Sequence, residues 1–206
     1  MDVGASIPIY SLIFRLPAVV AEGALATLAR HDAPWETHHL YASETVHTTV
    51  LLLSPYLGID GTTNEEEREA RVAEARGPIG EALAATPALR IRAEGLNLFS
   101  SAVFLQLLQA DRAAPAAMRR SLSTHLTSAF PEASAARYEA SLPWDLLFAN
   151  LVRFRAAPGP AIVAAVKAER DVDFGEIELR DLELVRADRL LSEPRTRVLA
   201  RFQLGC

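Results

Sequence analysis

Cysteine is almost absent from this chain: one residue, Cys206, stands among 206. That excludes an internal disulfide and a cysteine-based metal cluster, and makes a reducing cytoplasm the expected location. Apolar runs are short, none approaching the roughly 18 residues of a membrane span. The Met1-Asp2-Val3-Gly4 start has neither the basic residues nor the long apolar core of a secretion signal. A soluble protein with no membrane partner is expected. Glycine is sparse, with 10 residues, and no glycine-rich phosphate loop or dinucleotide fingerprint occurs. Lysine is rarer still: Lys167 is the only one, so the basic charge rests on arginine, a bias that points to a GC-rich bacterial genome. The net charge of -5 argues against a general nucleic-acid-binding surface, because counterion release needs many clustered cations. A local arginine-lined cleft stays open. Clustered carboxylates and Cys/His ligand spacings are also missing, so neither metal nor cofactor is expected.

What is present is ordinary globular composition, with 50% apolar and 23% charged residues, enough to bury a sizeable core as one large domain or two lobes sharing a core. Ile7 to Leu16 reads as a strand closed by Pro17, and Ala18 to Arg30 as a helix. The adjacent His38 and His39 would face opposite sides of a strand and read as exposed loop histidines. Thr63 and Glu66 fit a capping box, with Glu65-Glu66-Glu67 as a solvated helix start. The helix from about Asn64 to Ala85 is expected to break or kink at Gly77-Pro78. Leu89 to Glu94 and Ala102 to Leu108 alternate as a hairpin, with Gln106 interrupting the second run as a candidate cleft residue. Pro115 opens a helix to about Phe130 with a core stripe at Met118, Leu122, Leu126 and Phe130. Pro160 opens a last short helix ending near Glu169. Strand, helix, strand, helix, hairpin, helix, strand, helix and closing strands give an α+β fold, two antiparallel-sheet lobes flanked by helices around a central cleft.

The chemistry concentrates in Val46 to Leu53. A strand alternates its side chains, so His47 and Thr49 share one face while Val46, Thr48 and Val50 take the other. An imidazole beside a hydroxyl can exchange a proton near neutral pH and hydrogen-bond a phosphate oxygen. A second stretch, Leu146-Leu147-Phe148-Ala149-Asn150-Leu151-Val152-Arg153-Phe154-Arg155, leads into Ala156-Ala157-Pro158-Gly159-Pro160 and a helix. His125-Leu126-Thr127 is another literal His-x-Thr. In a helix its two polar residues stand about 200° apart and do not act together.

A His-x-Thr strand in the first half, answered by a strand that continues as Leu-x-Arg before a proline-rich turn and a helix, resembles the 2H phosphoesterase superfamily. That superfamily includes the 2′-5′ RNA ligase and cyclic nucleotide phosphodiesterase families. Phe174 to Leu179, Leu182 to Val185 and Thr196 to Phe202 resemble its closing strands, so the likeness runs from Tyr10 to Leu204 as one bilobal unit. The resemblance implies two histidines paired across a cleft, one taking a proton from the attacking oxygen and one giving a proton to the leaving oxygen. Here the second histidine position is Phe148 and its hydroxyl position is Asn150, so the second motif is degenerate.

The resemblance carries over His47 as the surviving acid or base together with Thr49 and Arg153; with Phe148 and Asn150 at the positions of the second motif and Gln106 as the candidate cleft residue, the expected ligand site comprises Thr49, Asn150, Arg153, Phe148 and Gln106. A nucleotide or RNA phosphate ester is the implied partner of a monomer, bound or weakly processed without metal. The alternative is an active 2′-5′ RNA ligase-like or cyclic nucleotide phosphodiesterase whose second catalytic group is non-standard. On this reading the two motif strands form opposite walls of one cleft.

Overall fold

The structure, a computed structural model, describes residues 8–111, 113–133, 135, 145–188 and 195–205. Cys206, the Met1 to Gly4 start and Ile7 lie outside these residues. Among them the chain forms nine strands, all of whose pairings are antiparallel, and four α-helices. Strand β1 (Ile9–Arg15) leads to α1 (Ala18–Ala29), the short β2 (His39–Leu40), β3 (His47–Leu52) and α2 (Glu65–Leu83). Then come β4 (Leu89–Phe99), β5 (Ala102–Gln109), α3 (Ala113–Ala129), β6 (Leu147–Arg153) and α4 (Pro160–Ala168). Strands β7 (Asp173–Leu179), β8 (Asp181–Ala187) and β9 (Arg197–Gln203) follow.

The sheet order is β7-β4-β5-β6-β3-β1-β8-β9, with β2 added to β6. Two lobes therefore meet at one seam, β3 against β6, where Thr48 pairs with Ala149. The expected geometry of the motif strands is corrected here. They are hydrogen-bonded neighbours in one sheet, not opposite walls of a cleft, because β3 and β6 pair with each other at the seam.

One face of the sheet is the core. The even-numbered run Val46, Thr48 and Val50 is buried, as period-two alternation requires. Val20 and Leu28 of α1, Val72 and Ile79 of α2, the α3 stripe Met118, Leu122 and Leu126, and Ile162 and Val166 of α4 complete the same apolar cluster. Arg119, buried on α3, binds the seam from behind. Its Nε donates to the Val50 carbonyl at 2.8 Å, Nη1 to the Leu146 carbonyl at 2.8 Å and Nη2 to the Thr49 carbonyl at 3.2 Å.

Three local expectations are overturned. Helix α2 continues through Pro78 as one element. The buried residues Val72, Ala75, Ile79, Ala82 and Leu83 hold it to the core on both sides of the proline, and that packing outweighs one lost hydrogen bond. Its cap is Asn64, whose Oδ1 accepts from the Glu67 amide at 2.9 Å, while Thr63 turns back to accept from the Asp60 amide. His38 is not an exposed loop residue: it is buried, its Nδ1 accepts from the Arg155 amide at 3.3 Å, and its ring meets Phe154 edge-on at 5.0 Å. His39 lies half-buried against Tyr41. The 3-10 turns around β2 fold this segment onto the end of β6.

Candidate functional site

The seam register determines which side chains share the sheet face opposite the one that Thr48 and Ala149 take. With Thr48 opposite Ala149 and both side chains in the core, the antiparallel ladder sets His47 opposite Asn150 and Thr49 opposite Phe148 on the other face. The pairing continues outward on both sides. Strand β1 brings Arg15 beside His47 and Ile13 beside Thr49, and β5 brings Phe104 beside Asn150 and Gln106 beside Phe148. Two ranks thus cross four strands, Arg15-His47-Asn150-Phe104 and Ile13-Thr49-Phe148-Gln106. They are related by an approximate two-fold between Thr48 and Ala149. One half carries His47 and Thr49, and its symmetry mate carries Phe148 and Asn150.

His47 is only 4% exposed although it lies on the same sheet face as the exposed Thr49. The Tyr41 ring covers it edge-on at 5.9 Å. Its Nδ1 is 2.7 Å from the Thr45 carbonyl, which can only accept, so Nδ1 carries the proton and Nε2 keeps its lone pair. Burial, opposed by the Thr45 carbonyl and aided by the charges of Arg15 and Arg153, lowers the His47 pKa to about 4. At neutral pH this imidazole is uncharged. Thr49 is exposed beside it.

Two guanidinium groups flank the histidine. Burial pushes the Tyr41 phenol pKa up, opposed by the Arg153 guanidinium beside it. Arg15 donates through Nε to Glu183 at 2.8 Å and through Nη1 to the Glu44 carbonyl at 2.7 Å. Glu183, 7% exposed, also accepts from Arg201 at 3.1 Å. Arg15, Tyr41 and Glu183 escaped the sequence reading. Arg15 alone had a local signal, as the one charge on an otherwise apolar strand.

Phe148 is half-buried and joins two further rings. It meets Phe99 at 5.1 Å and Phe104 at 5.5 Å, both edge-on, while Phe99 and Phe104 stack at 4.1 Å. Asn150 is half-buried with its Oδ1 lacking a donor among the described residues. Gln106 is half-buried next to Phe148, its amide closing on the β4 bulge at Gly95. His125 lies away from these ranks on α3, its Nδ1 2.9 Å from the Ser121 carbonyl one turn earlier. Among the described residues no group of three His, Cys, Asp or Glu side chains is arranged to hold a metal ion, and no helix is long and apolar enough to cross a membrane.

Solved structures share this fold over nearly their whole length. TT0787 of Thermus thermophilus is 20% identical, with 96% of this chain and 98% of that one covered and a TM-score of 0.62. E. coli LigT complexed with 3′-AMP is 16% identical over 98% of this chain and 100% of that one, with a TM-score of 0.59. A structure described as a phosphoesterase is 18% identical over 97% and 100%, with a TM-score of 0.57. No protein-family model and no curated protein matches the chain.

Proposed function

Because the chain carries the fold of the 2H phosphoesterases, we propose that its groove binds the phosphate ester of a nucleotide or an RNA end and processes it weakly. The observation that supports this reading is the pair of ranks at the seam, which sets His47 and Thr49 on one half and Phe148 and Asn150 on its symmetry mate. Thr49 donates to a phosphate oxygen, and Arg15 and Arg153 supply charge on either side of His47. E. coli LigT has been crystallised with phosphate, ATP, NADP+ and 3′-AMP, ligands of the same anionic class. His47, uncharged with a free Nε2, takes the proton of the attacking hydroxyl or water. The leaving oxygen then needs a proton from the opposite side, where Phe148 has none to give. Positioned proton transfer contributes roughly 10²- to 10⁴-fold in rate, which is the scale of the expected deficit.

One observation favours an active enzyme with a non-standard second group. The Tyr41 phenol, protonated at neutral pH and pushed further up by burial, lies against both His47 and Arg153. Rapid turnover of a 2′,3′-cyclic nucleotide, abolished in both His47→Ala and Tyr41→Phe, would establish that alternative. The test of the binding reading is calorimetry with inorganic phosphate, 2′- and 3′-phosphorylated nucleotides and 2′,3′-cyclic nucleotides. Thr49→Val should weaken phosphate binding about tenfold, the value of one charge-assisted hydrogen bond. Equal binding by wild type and Thr49→Val would remove the assignment.

A further inference from the structure

We propose that a second ligand site, for a small phosphate monoester, lies between α2 and strands β1, β8 and β9, on the helix side of the sheet and away from His47 and Thr49. A cavity of about 280 Å³ is found there, its polar lining made of Tyr10, Glu69, Arg76, Arg186 and Arg197. Strand register builds the cationic side. Tyr10 of β1 pairs with Arg186 of β8, and Arg186 pairs with Arg197 of β9, so the three form one rank. Tyr10 belongs to the core cluster that holds Val72 of α2, whereas Ile13 and Val185 pack together on the other face. Two arginines directly opposite each other on a ladder repel, and an anion between them relieves the repulsion. Glu65 answers Arg186. Arg76 and Arg197 have no ion pair among the described residues.

A buried hydroxyl points to the same ligand independently. Tyr10 is 1% exposed, and its hydroxyl has no hydrogen-bond partner among the described residues. The charges of Arg186, Glu65, Arg68 and Glu69 all act on this phenol, so it stands at the charged cluster. An unmade hydrogen bond in the interior is costly, and a phosphate oxygen in the cavity would accept this one. Charge selects a dianion. Counting Glu65 and Arg68, which pair beside the cavity, the guanidinium groups of Arg68, Arg76, Arg186 and Arg197 stand against the carboxylates of Glu65 and Glu69. Four against two leaves two positive charges in excess, in a chain whose net charge is -5. The donors come from β1, α2, β8 and β9, which suits a tetrahedral phosphate with oxygens in several directions better than a planar carboxylate. Val72 and Leu199 add an apolar wall for a short organic arm. The volume lies below the roughly 300–1,000 Å³ of sites for drug-sized ligands, so the ester is small.

This site does not depend on the reading of His47 and Thr49 as a phosphate-ester site, and the test keeps the two apart. Calorimetry and thermal unfolding with glycerol phosphate, inorganic phosphate and malonate are compared on wild type, Thr49→Val, Tyr10→Phe and the double variant Arg76→Met with Arg197→Met, whose two arginines are both exposed. Glycerol phosphate should bind wild type and raise its Tm. The double variant should bind it about 10- to 100-fold more weakly at this site and lose that rise, whereas Thr49→Val keeps it. Without ligand the double variant should unfold at the wild-type Tm or above, because it removes the Arg186–Arg197 repulsion. Tyr10→Phe should weaken binding severalfold without lowering the ligand-free Tm, since its hydroxyl has no partner to lose. Equal glycerol phosphate affinity in wild type and the double variant, or loss of all of this binding in Thr49→Val, would overturn the site. Of the binding that the double variant loses, a preference for malonate would overturn the phosphate assignment, and a preference for inorganic phosphate would overturn the ester.

Discussion

Acidification should weaken this protein through His47, and the size of the effect follows from its surroundings. The imidazole is 4% exposed, and its pKa drops from 6.5 to about 4 on folding, first because burial penalises the charged ring. Above pH 6.5 both the folded and unfolded forms are neutral at this position and the contribution is complete. Between pH 6.5 and 4 the unfolded chain binds a proton that the folded protein refuses, so stability falls as pH falls, by about 1.4 kcal/mol per unit. Below pH 4 both forms are protonated and the loss levels off at about 3 kcal/mol, a large share of a typical stability of roughly 5–15 kcal/mol. The assay is urea unfolding of wild type and His47→Gln at pH 7.5, 6.5, 5.5 and 4.5. Glutamine can still donate to the Thr45 carbonyl but does not titrate, and groups common to both proteins cancel in the difference. The wild-type curve should fall relative to the variant by about 2.5 kcal/mol across that range. Parallel curves would refute the argument, and with it the view of His47 as an uncharged base at neutral pH.

Restoring the second half-site by Phe148→His with Asn150→Thr should raise the single-turnover rate on a 2′,3′-cyclic nucleotide by up to roughly 10²- to 10⁴-fold, less if the new imidazole lies about 1 Å out of place. A wild type already fast, and dead as His47→Ala, would refute the reading of Phe148 as a lost proton donor. Arg119→Met should cost about 3 kcal/mol in urea unfolding, because the carbonyls of Thr49, Val50 and Leu146 lose a charged donor. Arg90→Met, at an 88% exposed side chain, should change stability by less than about 0.5 kcal/mol, and equal losses at the two sites would discount the seam bracing. Gly95→Ala should cost about 3 kcal/mol or more, since the backbone there has φ +76° and a Cβ would collide with the Arg170 carbonyl. Unchanged thermal unfolding would show that this bulge can relax.

Much of the sheet was legible because local alternation encodes it. The burial of Val46, Thr48 and Val50 against an exposed Thr49, and the α3 stripe, follow directly from periods of two and 3.6. The groove was legible in part, since the shared face of His47 and Thr49 is a local property. That His47 is covered, that Arg15 stands beside it and that Glu183 holds Arg15 depend on register between strands far apart in sequence, which no local pattern specifies. The same long-range pairing turned the expected facing walls into neighbouring strands. Pro78 and Thr63 misled for a different reason: both carry strong local preferences that packing and an adjacent Asn64 outweigh.

The sheet order also has a consequence for how the chain reaches this state. One lobe, β4 to β7, is continuous in sequence from Leu89 to Leu179, whereas the other takes β1 and β3 from before it and β8 and β9 from after it. Ile9 must find Ala187 and Phe14 must find Leu182, closures across nearly the whole described chain. Such distant pairing is slow, because the entropy of closing the loop is lost before any contact compensates for it. During synthesis the continuous lobe can assemble first, while β1, whose Tyr10, Leu12, Ile13 and Phe14 are among the most buried residues of the finished fold, keeps an unpaired edge until β8 emerges. That waiting edge is where a chaperone, or another nascent copy, would first take hold.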